Sequence, residues 1–236
     1  MTPKMPNARL IGLVHLSYVL IAFLGDFIIK RVVVAGDPAV TVTNLLAHEA
    51  TYRAGFAIGM IANMIYVALT ALYYRLLKPV NGTIALLMAF FSLIGCTTQI
   101  IAGLLQLAPL VVLRDSHLAG AFQVEQLRAA ALVSLRLYSQ TFNISLVQFG
   151  LFDFTLGYLI FKSTFLPRIC GVLMMAAGVV ATTFLYPPLA IALKWFVLPV
   201  GGLGEGVLML WLIVKGVNVE RWEEQAGPPV ATVSQR

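Results

Sequence analysis

The chain has little charge and almost no cysteine. Only 11% of its 236 residues are Asp, Glu, Lys or Arg, whereas about a quarter is usual in a soluble domain. So few charges cannot cover the surface of a soluble globule, which excludes a soluble enzyme and a disordered chain. The two cysteines, Cys96 and Cys170, lie in apolar stretches, so a secreted domain stapled by disulfides is excluded as well.

Motifs that bind metals, cofactors or nucleic acids are also missing. The sequence has no HExxH, no GxSxG, no phosphate-binding loop and no Cys/His cluster with metal-ligand spacing. Its basic residues form no long run of the kind that binds nucleic acids. We therefore expect no metal, no cofactor and no nucleic-acid partner, we assign no catalytic residues, and an intramembrane enzyme is the weakest of three functional interpretations.

Apolar residues, by contrast, make up 60% of the chain, and the mean hydropathy is +0.90. A bilayer core of about 30 Å is crossed by about 20 consecutive apolar residues in a helix. Six such runs predict an all-α integral membrane helical bundle with six transmembrane helices in one membrane domain, residues 10–217. The runs are Leu10–Ile29, Tyr52–Leu77, Thr83–Leu113, Leu137–Phe161, Leu166–Leu185 and Pro199–Gly216.

Three further segments are predicted to be short helices. Asp37 and Pro38 form an N-cap followed by proline at the first helical position, and a second amphipathic stretch runs from Phe122 to Leu132 into the fourth span. Both are expected to lie on the outer membrane surface or to cap the bundle. The proline-bracketed stretch Tyr186–Leu198 is too short for a normal span, so we expect a re-entrant or interfacial helix there, with a seventh span as the alternative.

The distribution of Lys and Arg predicts the orientation. An even number of spans places both ends on one side, and the two connections on that side are short and carry Lys78 and Lys162 without an acid. The positive-inside rule then makes residues 1–9 and the tail at 218–236 cytoplasmic. The tail is polar and contains Gly227 and two prolines, so we expect it to be disordered.

Small or polar residues recur on one face of four predicted spans. The repeats follow helical spacing and comprise His15, Tyr18, Ala22 and Asp26; Gly55, Gly59, Asn63, Tyr66, Thr70 and Tyr73; Ser92, Cys96, Gln99, Gly103 and Gln106; and Tyr138, Thr141, Ser145, Gln148 and Thr155. These faces either hold helices together or line a polar cavity. The hydrogen-bonding capacity of the glutamines favours the cavity.

Three carboxylates, Asp26, Asp153 and Glu205, fall inside predicted spans, where an unpaired charge is expensive. The predicted boundaries place Asp26 and Glu205 near the outer ends of spans one and six, as an acidic mouth that favours cations. An ion pair between Asp26 and Lys30, one turn away, is the alternative. Glu205 lies in a glycine-rich segment, residues 201–206, that allows other backbone or a ligand to approach closely.

A histidine adds a candidate proton site. The predicted depths of His15 and Asp153 differ by only about 6 Å at 1.5 Å per residue, so a contact between these two side chains is geometrically allowed. The alternative is that His15 bonds a neighbouring carbonyl and that Asp153 is protonated.

The leading functional hypothesis is that a small polar or amphipathic solute, or a lipid, binds or passes along these faces. The predicted site residues are Asp26, Asn63, Gln99, Gln106, Gln148, Asp153 and Glu205. The second hypothesis is a structural or sensory membrane subunit whose polar residues only join helices. In either case the lipid bilayer surrounds the chain, and the face of Gly55 and Gly59 is a candidate contact between copies.

Several segments also resemble a known family. They are residues 36–38 (GDP) with 44–47 (NLLA), 73–81 (YYRLLKPVN), 156–163 (LGYLIFKS) with 166–173 (LPRICGVL), and 204–205 (GE) ahead of 210–217 (LWLIVKGV). Together they resemble the bacterial multi-pass membrane family called domain of unknown function 4386 (DUF4386), from about Ala8 to about Trp222. The resemblance implies a multi-pass protein of the bacterial inner membrane, in which Glu205 matches a typical glutamate. Relatives often carry a histidine near Tyr138 and this chain does not, so the resemblance implies no histidine chemistry at that position.

Overall fold

A computed structural model describes residues 5–34 and 37–227 of the chain. Over these residues the chain is helical and contains no strand. The helices are α1 (Ala8–Lys30), α2 (Pro38–Ala47), α3 (Glu49–Leu77), α4 (Gly82–Arg114), α5 (Ser116–Ala121), α6 (Val124–Lys162), α7 (Arg168–Ala181), a 3₁₀ turn (Thr182–Leu185), α8 (Pro187–Ala192), α9 (Lys194–Val214) and α10 (Val219–Ala226). Six helices are long and apolar enough to cross a membrane: α1, α3, α4, α6, α7 with its 3₁₀ turn, and α9. The all-α, six-span prediction is confirmed.

The last span begins earlier in the chain than predicted. The prediction that it starts at Pro199 is wrong, because α9 begins at Lys194 and contains this proline. A proline inside a helix removes its own N–H bond, and its ring crowds the carbonyl four residues earlier. Transmembrane helices tolerate this where neighbouring groups satisfy the freed carbonyl. The residues before Lys194 form the short helix α8, so the described chain contains no seventh span.

The two amphipathic stretches that were predicted for the outer surface form different elements. Asp37 caps α2 as predicted, and its Oδ1 accepts a hydrogen bond of 3.0 Å from the Val40 N–H. Leu45 of α2 is fully buried in a cluster with Tyr52 and Leu110. The second stretch, from Phe122 to Leu132, is continuous with the long helix α6 from Val124 onward.

The segment after α9 corrects a prediction. Disorder was expected from residue 218 onward, but Val219–Ala226 form α10. Its first turn is capped by the Asn218 side chain, which accepts from the Arg221 N–H. Trp222 is 2% exposed, and its indole Nε1–H donates to the Leu76 carbonyl at 2.8 Å. The anchored tryptophan thus helps to hold a mainly polar helix in place. Residues 228–236 of the tail, residues 1–4 and Gly36 lie outside the described part.

The chain divides into two compact units. The first comprises the described residues of Met1–Leu16, Val67–Leu93 and Leu146–Arg236, and the second comprises those of Ser17–Tyr66 and Ile94–Ser145. We refer to them as unit 1 and unit 2. Helices α1, α3, α4 and α6 contribute residues to both units, whereas α7 to α10 belong to unit 1 alone.

In unit 1, α6 and α7 are in direct backbone contact. A Cβ atom at Gly157 would lie 2.6 Å from the Gly171 carbonyl oxygen, and one at Gly178 would lie 2.5 Å from the Gly150 carbonyl oxygen. The contacts join Gly157 to Gly171 and Gly150 to Gly178. Because the residue numbers of the contacts rise along α6 as they fall along α7, the two helices are antiparallel. Small residues allow this close approach and the dispersion contacts that stabilise helix pairs in lipid.

Two further glycines position α9 in unit 1. A Cβ at Gly204 would lie 2.8 Å from the Leu173 carbonyl oxygen of α7, and a Cβ at Gly12 of α1 would lie 2.9 Å from the Ile213 N of α9. Helix α9 therefore contacts both α7 and α1 at backbone distance. This packing brings the middle of α9 close to the turn of α1 that follows Gly12.

Unit 2 uses the predicted glycine face within the chain. A Cβ at Gly55 of α3 would lie 2.9 Å from the Ile29 side chain of α1, and one at Gly25 would lie 3.2 Å from the Gly59 N. Gly55 itself is buried. Packing of α1 on α3 thus occupies Gly55, whereas a Cβ at Gly59 would meet no atom within 4 Å; a contact between copies through this face stays a prediction.

The α6–α7 contact generates a stability prediction. Gly171→Ala is expected to destabilise the protein by about 1–3 kcal/mol, the usual cost of overpacking, because its Cβ would lie 2.6 Å from the Phe161 backbone N. Thermal unfolding of the purified protein, followed by circular dichroism, measures the change. Gly202→Ala is the matched control, since a Cβ there has no atom within 4 Å and alanine favours a helix. Equal melting temperatures for the two variants would contradict this packing.

Candidate functional site

The predicted site residues are distributed over both units. Asp26, Asn63, Gln99 and Gln106 belong to unit 2, whereas His15, Gln148, Asp153 and Glu205 belong to unit 1. The predicted set therefore does not form one site within either unit. The two groups differ in how their polar atoms are used.

In unit 2, buried amides join α3 to α4. Asn63 is 5% exposed, and its Nδ2 donates to the Cys96 carbonyl at 3.2 Å and to Gln99 Oε1 at 3.3 Å. One end of the same helix pair is joined by the Tyr52 hydroxyl, which donates to the Gln106 carbonyl at 2.8 Å. These bonds are the interhelical hydrogen bonds expected of helices held together in lipid.

The carboxylate of Asp26 is paired with a lysine. Its Oδ2 lies 2.6 Å from Lys30 Nζ, and the two side chains are 52% and 72% exposed. The ion pair that the sequence offered as the alternative is thus present. An exposed pair of this kind contributes little stability, and the lysine already occupies the carboxylate.

Glu205 lies deeper than predicted. It follows the first residue of α9, Lys194, by eleven positions and precedes the last, Val214, by nine. At 1.5 Å per residue these separations are about 16 and about 14 Å. The expectation that Glu205 lies near the outer end of its span is wrong, because the helix starts before Pro199.

His15 brings Glu205 and a tyrosine together. Its imidazole is 3% exposed, with Nδ1 3.0 Å from the Tyr73 hydroxyl and Nε2 3.9 Å from Glu205 Oε2. The structure thus pairs His15 with Glu205, whereas the predicted depths allowed a contact with Asp153. In the neutral tautomer that carries its proton on Nε2, the ring faces the carboxylate with a donor and accepts from the phenol.

Asp153 completes the group. It is 6% exposed, and its Oδ1 has no hydrogen-bond partner among residues 5–34 and 37–227. Asp153 is also near enough to Glu205 and Tyr73 to interact with both electrostatically. A buried carboxylate oxygen without a donor is costly in a protein interior. We call His15, Tyr73, Asp153 and Glu205 the His15 cluster.

The helix around Glu205 leaves space beside the carboxylate. The side chain of Glu205 is 37% exposed, and a Cβ placed at Gly201, Gly202 or Gly206 would meet no atom within 4 Å. Of the glycines in residues 201–206, only Gly204 serves a tight helix contact. The glycine-rich segment therefore combines one packing glycine with three that leave room near an acid.

One predicted residue, Gln148, and one that was not predicted, Tyr73, remain to be placed. Gln148 is half-buried on α6, five residues before Asp153. Tyr73 was a member of the polar face of span two but not of the predicted site, although its spacing from Thr70 was the signal that could have found it.

Within the described chain, no group of three or more His, Cys, Asp and Glu side chains is placed to hold a metal ion.

The hydrogen bond between the side-chain amides of Asn63 and Gln99 gives a test of how α3 pairs with α4. Asn63→Leu is expected to lower the free energy of unfolding, and a double-mutant cycle with Gln99→Leu should give a coupling of about 0.6 kcal/mol, typical of such bonds in membranes. Thermal or denaturant unfolding measures each variant. Thr98→Val is the control partner, because its hydroxyl donates to the Ile94 carbonyl of its own helix. A coupling of zero with Gln99 would refute the bond.

Comparison with known proteins identifies a family for this chain but assigns it no activity. The searches of curated proteins and of solved structures find no match. The model of one family, described as "Domain of unknown function (DUF4386)", matches residues 10–216, which cover all six candidate spans except the first two residues of α1. The chain is a multi-pass membrane protein and belongs to the DUF4386 family.

Proposed function

We propose that the protein binds, or passes across the membrane, a small cationic or protonatable solute, and that the His15 cluster is its binding site. The proposal keeps Asp153 and Glu205 from the predicted site and adds His15 and Tyr73. It gives Asn63, Gln99 and Gln106 the role of joining helices. It also places the protein in a bacterial inner membrane with both termini in the cytoplasm, as the short basic connections favour.

The observation that carries the proposal is the Asp153 carboxylate. Its Oδ1 is buried and has no hydrogen-bond donor in the described part of the chain, although the amides and hydroxyls joining α3 to α4 do have partners. Ionisable residues inside membrane spans usually mark a substrate path or a proton relay, since they are too costly to keep as packing. A ligand that donates a hydrogen bond would satisfy this oxygen.

The charges of the cluster define the ligand. The cluster holds two carboxylates and one imidazole, so it carries a net charge of −1 or −2 when both acids are ionised, according to the state of His15. A monovalent cation or a proton can offset that charge, whereas an anion would add to it. The Tyr73 hydroxyl and the imidazole provide oriented hydrogen bonds, and the space beside Gly201 and Gly202 leaves room for a small molecule.

A structural or sensory subunit is the second candidate. It is favoured by the mutual pairing of Asn63 with Gln99 and of the Thr70 and Ser92 hydroxyls, both of which join α3 to α4. Mutual pairing of polar side chains is what a bundle without a ligand requires. It does not account for the unpaired oxygen of Asp153.

Calorimetric titration of the purified protein with small alkylammonium ions, from methylammonium to choline, tests the proposal. Glu205→Gln and Asp153→Asn are each expected to weaken binding at least tenfold, which is about 1.4 kcal/mol, because each removes a carboxylate that would carry negative charge when the cation is bound. Binding should also release protons, because a cation competes with protonation of the carboxylates. Repeating the titration in buffers with different ionisation enthalpies counts them.

Asp26→Asn is the matched control, since it removes an acid of a membrane span that is exposed and paired with Lys30. This variant should bind like the wild type. The proposal fails if no alkylammonium ion binds the wild-type protein, or if Asp26→Asn weakens binding as much as Glu205→Gln does. Unfolding curves of each variant separate a binding defect from a folding defect.

A further inference from the structure

A polar cavity lies at one end of unit 1. Its volume is about 500 Å³, and it is formed where α6 ends, α7 begins and α10 packs across them. The lining residues are Lys162, Ser163, Thr164, Leu166, Arg168, Arg221 and Glu224. None of them belongs to the His15 cluster.

The cavity carries an excess of positive charge. Lys162, Arg168 and Arg221 line it, against one acid, Glu224. None of these four side chains takes part in an ion pair among residues 5–34 and 37–227, although Glu224 shares the same cavity. Three cations that line one cavity repel each other, so an anion bound between them would relieve that repulsion.

The cationic heads are held in place by neutral groups. Lys162 Nζ lies 5.9 Å from the centre of the Tyr158 ring, and Arg168 Cζ lies 5.7 Å from that of Phe161. Arg221 donates from Nη1 to the Thr164 carbonyl at 3.3 Å. These contacts orient the side chains but leave their full charges uncompensated, and the arginines keep further N–H donors for a ligand.

The wall formed by α10 is anchored. The buried Trp222 bonds the Leu76 carbonyl, the Asn218 N–H donates to the Phe165 carbonyl at 3.3 Å, and the Thr164 N–H donates to Gln225 Oε1 at 3.1 Å. Arg221 is thereby fixed opposite the α6–α7 connection. At that connection the first turn of α7 has no side-chain cap, so its positive dipole end adds to the same field.

From this arrangement we propose that the cavity binds a phosphate group, carried either by an anionic membrane lipid or by a soluble phosphate. Arginine forks match the oxygen geometry of phosphate. The cavity lies at the ends of membrane-spanning helices, which is the level of lipid headgroups, and basic pockets at that level bind acidic headgroups. The inference does not depend on the His15 cluster.

Native mass spectrometry of the full chain tests lipid binding. After delipidation, the protein is mixed with equal amounts of phosphatidylglycerol and phosphatidylcholine. We expect the wild type to retain phosphatidylglycerol at least fivefold more often, and Arg168→Gln and Lys162→Gln to lose most of this preference. Glu224→Gln should increase it, because the variant removes the acid from the cavity.

Lys78→Gln and Lys215→Gln are the matched controls. They remove basic residues near the same end of unit 1 that do not line the cavity, so they should leave the preference unchanged. A second arm titrates the protein in phosphatidylcholine micelles with inorganic phosphate and follows the melting temperature. A lipid preference without a phosphate shift identifies the lipid as the source, and a shift that Arg168→Gln abolishes identifies soluble phosphate.

The inference is overturned if neither arm shows binding, or if the control lysines matter as much as Arg168. Asp153→Asn and Glu205→Gln should keep both signals, since their positions lie away from this cavity. Failure of the solute proposal and failure of this one are therefore distinguishable.

Discussion

The structure depends on one constraint: a polar group in hydrocarbon must find a partner within the protein or reach water. The backbone meets it by forming helices over nearly all the described residues. Side chains meet it locally, as when Asn63 donates to the Cys96 carbonyl and Asp26 turns to Lys30. Because the rule is met in so many places, a buried group that breaks it, such as Asp153 Oδ1, calls for a functional explanation.

Glycine decides which groups meet in unit 1. Backbone contacts at Gly157 and Gly171 hold α6 on α7, and those at Gly204 and Gly12 hold α9 against α7 and α1. Helices this close leave short side-chain distances, so His15 can reach both Tyr73 and Glu205. The His15 cluster is therefore a consequence of close helix packing, and substitutions that separate these helices would disperse it.

The spans could be predicted because about 20 apolar residues form a long and unmistakable signal, and Asp37 could be predicted as a cap because its chemistry is local. The partner of His15 could not, since counting residues gives the depth of a side chain but not the neighbour that its helix face meets. Helix α10 was missed because its stability depends on Trp222 reaching Leu76, a contact across 146 residues of sequence. The depth of Glu205 was missed because Pro199 marks a helix start in sequence statistics, whereas α9 includes it.

Unit 1 holds two groups of ionisable side chains, the His15 cluster and the basic cavity, at different positions along α6. Along α6, Asp153 precedes Lys162 by nine residues, or about 14 Å, so the acidic cluster and the basic cavity are far enough apart to act on different ligands. The charge of each site is opposite to that of the ligand it would bind. The side chains of each site are held by aromatic rings, by carbonyls or by contacts between helices. Uncompensated charge lowers stability, and so does the strain of holding like charges together. Under the two proposals, a cation at the His15 cluster and a phosphate group in the basic cavity supply the missing partners from outside the chain, whereas the exposed Asp26 is paired within it.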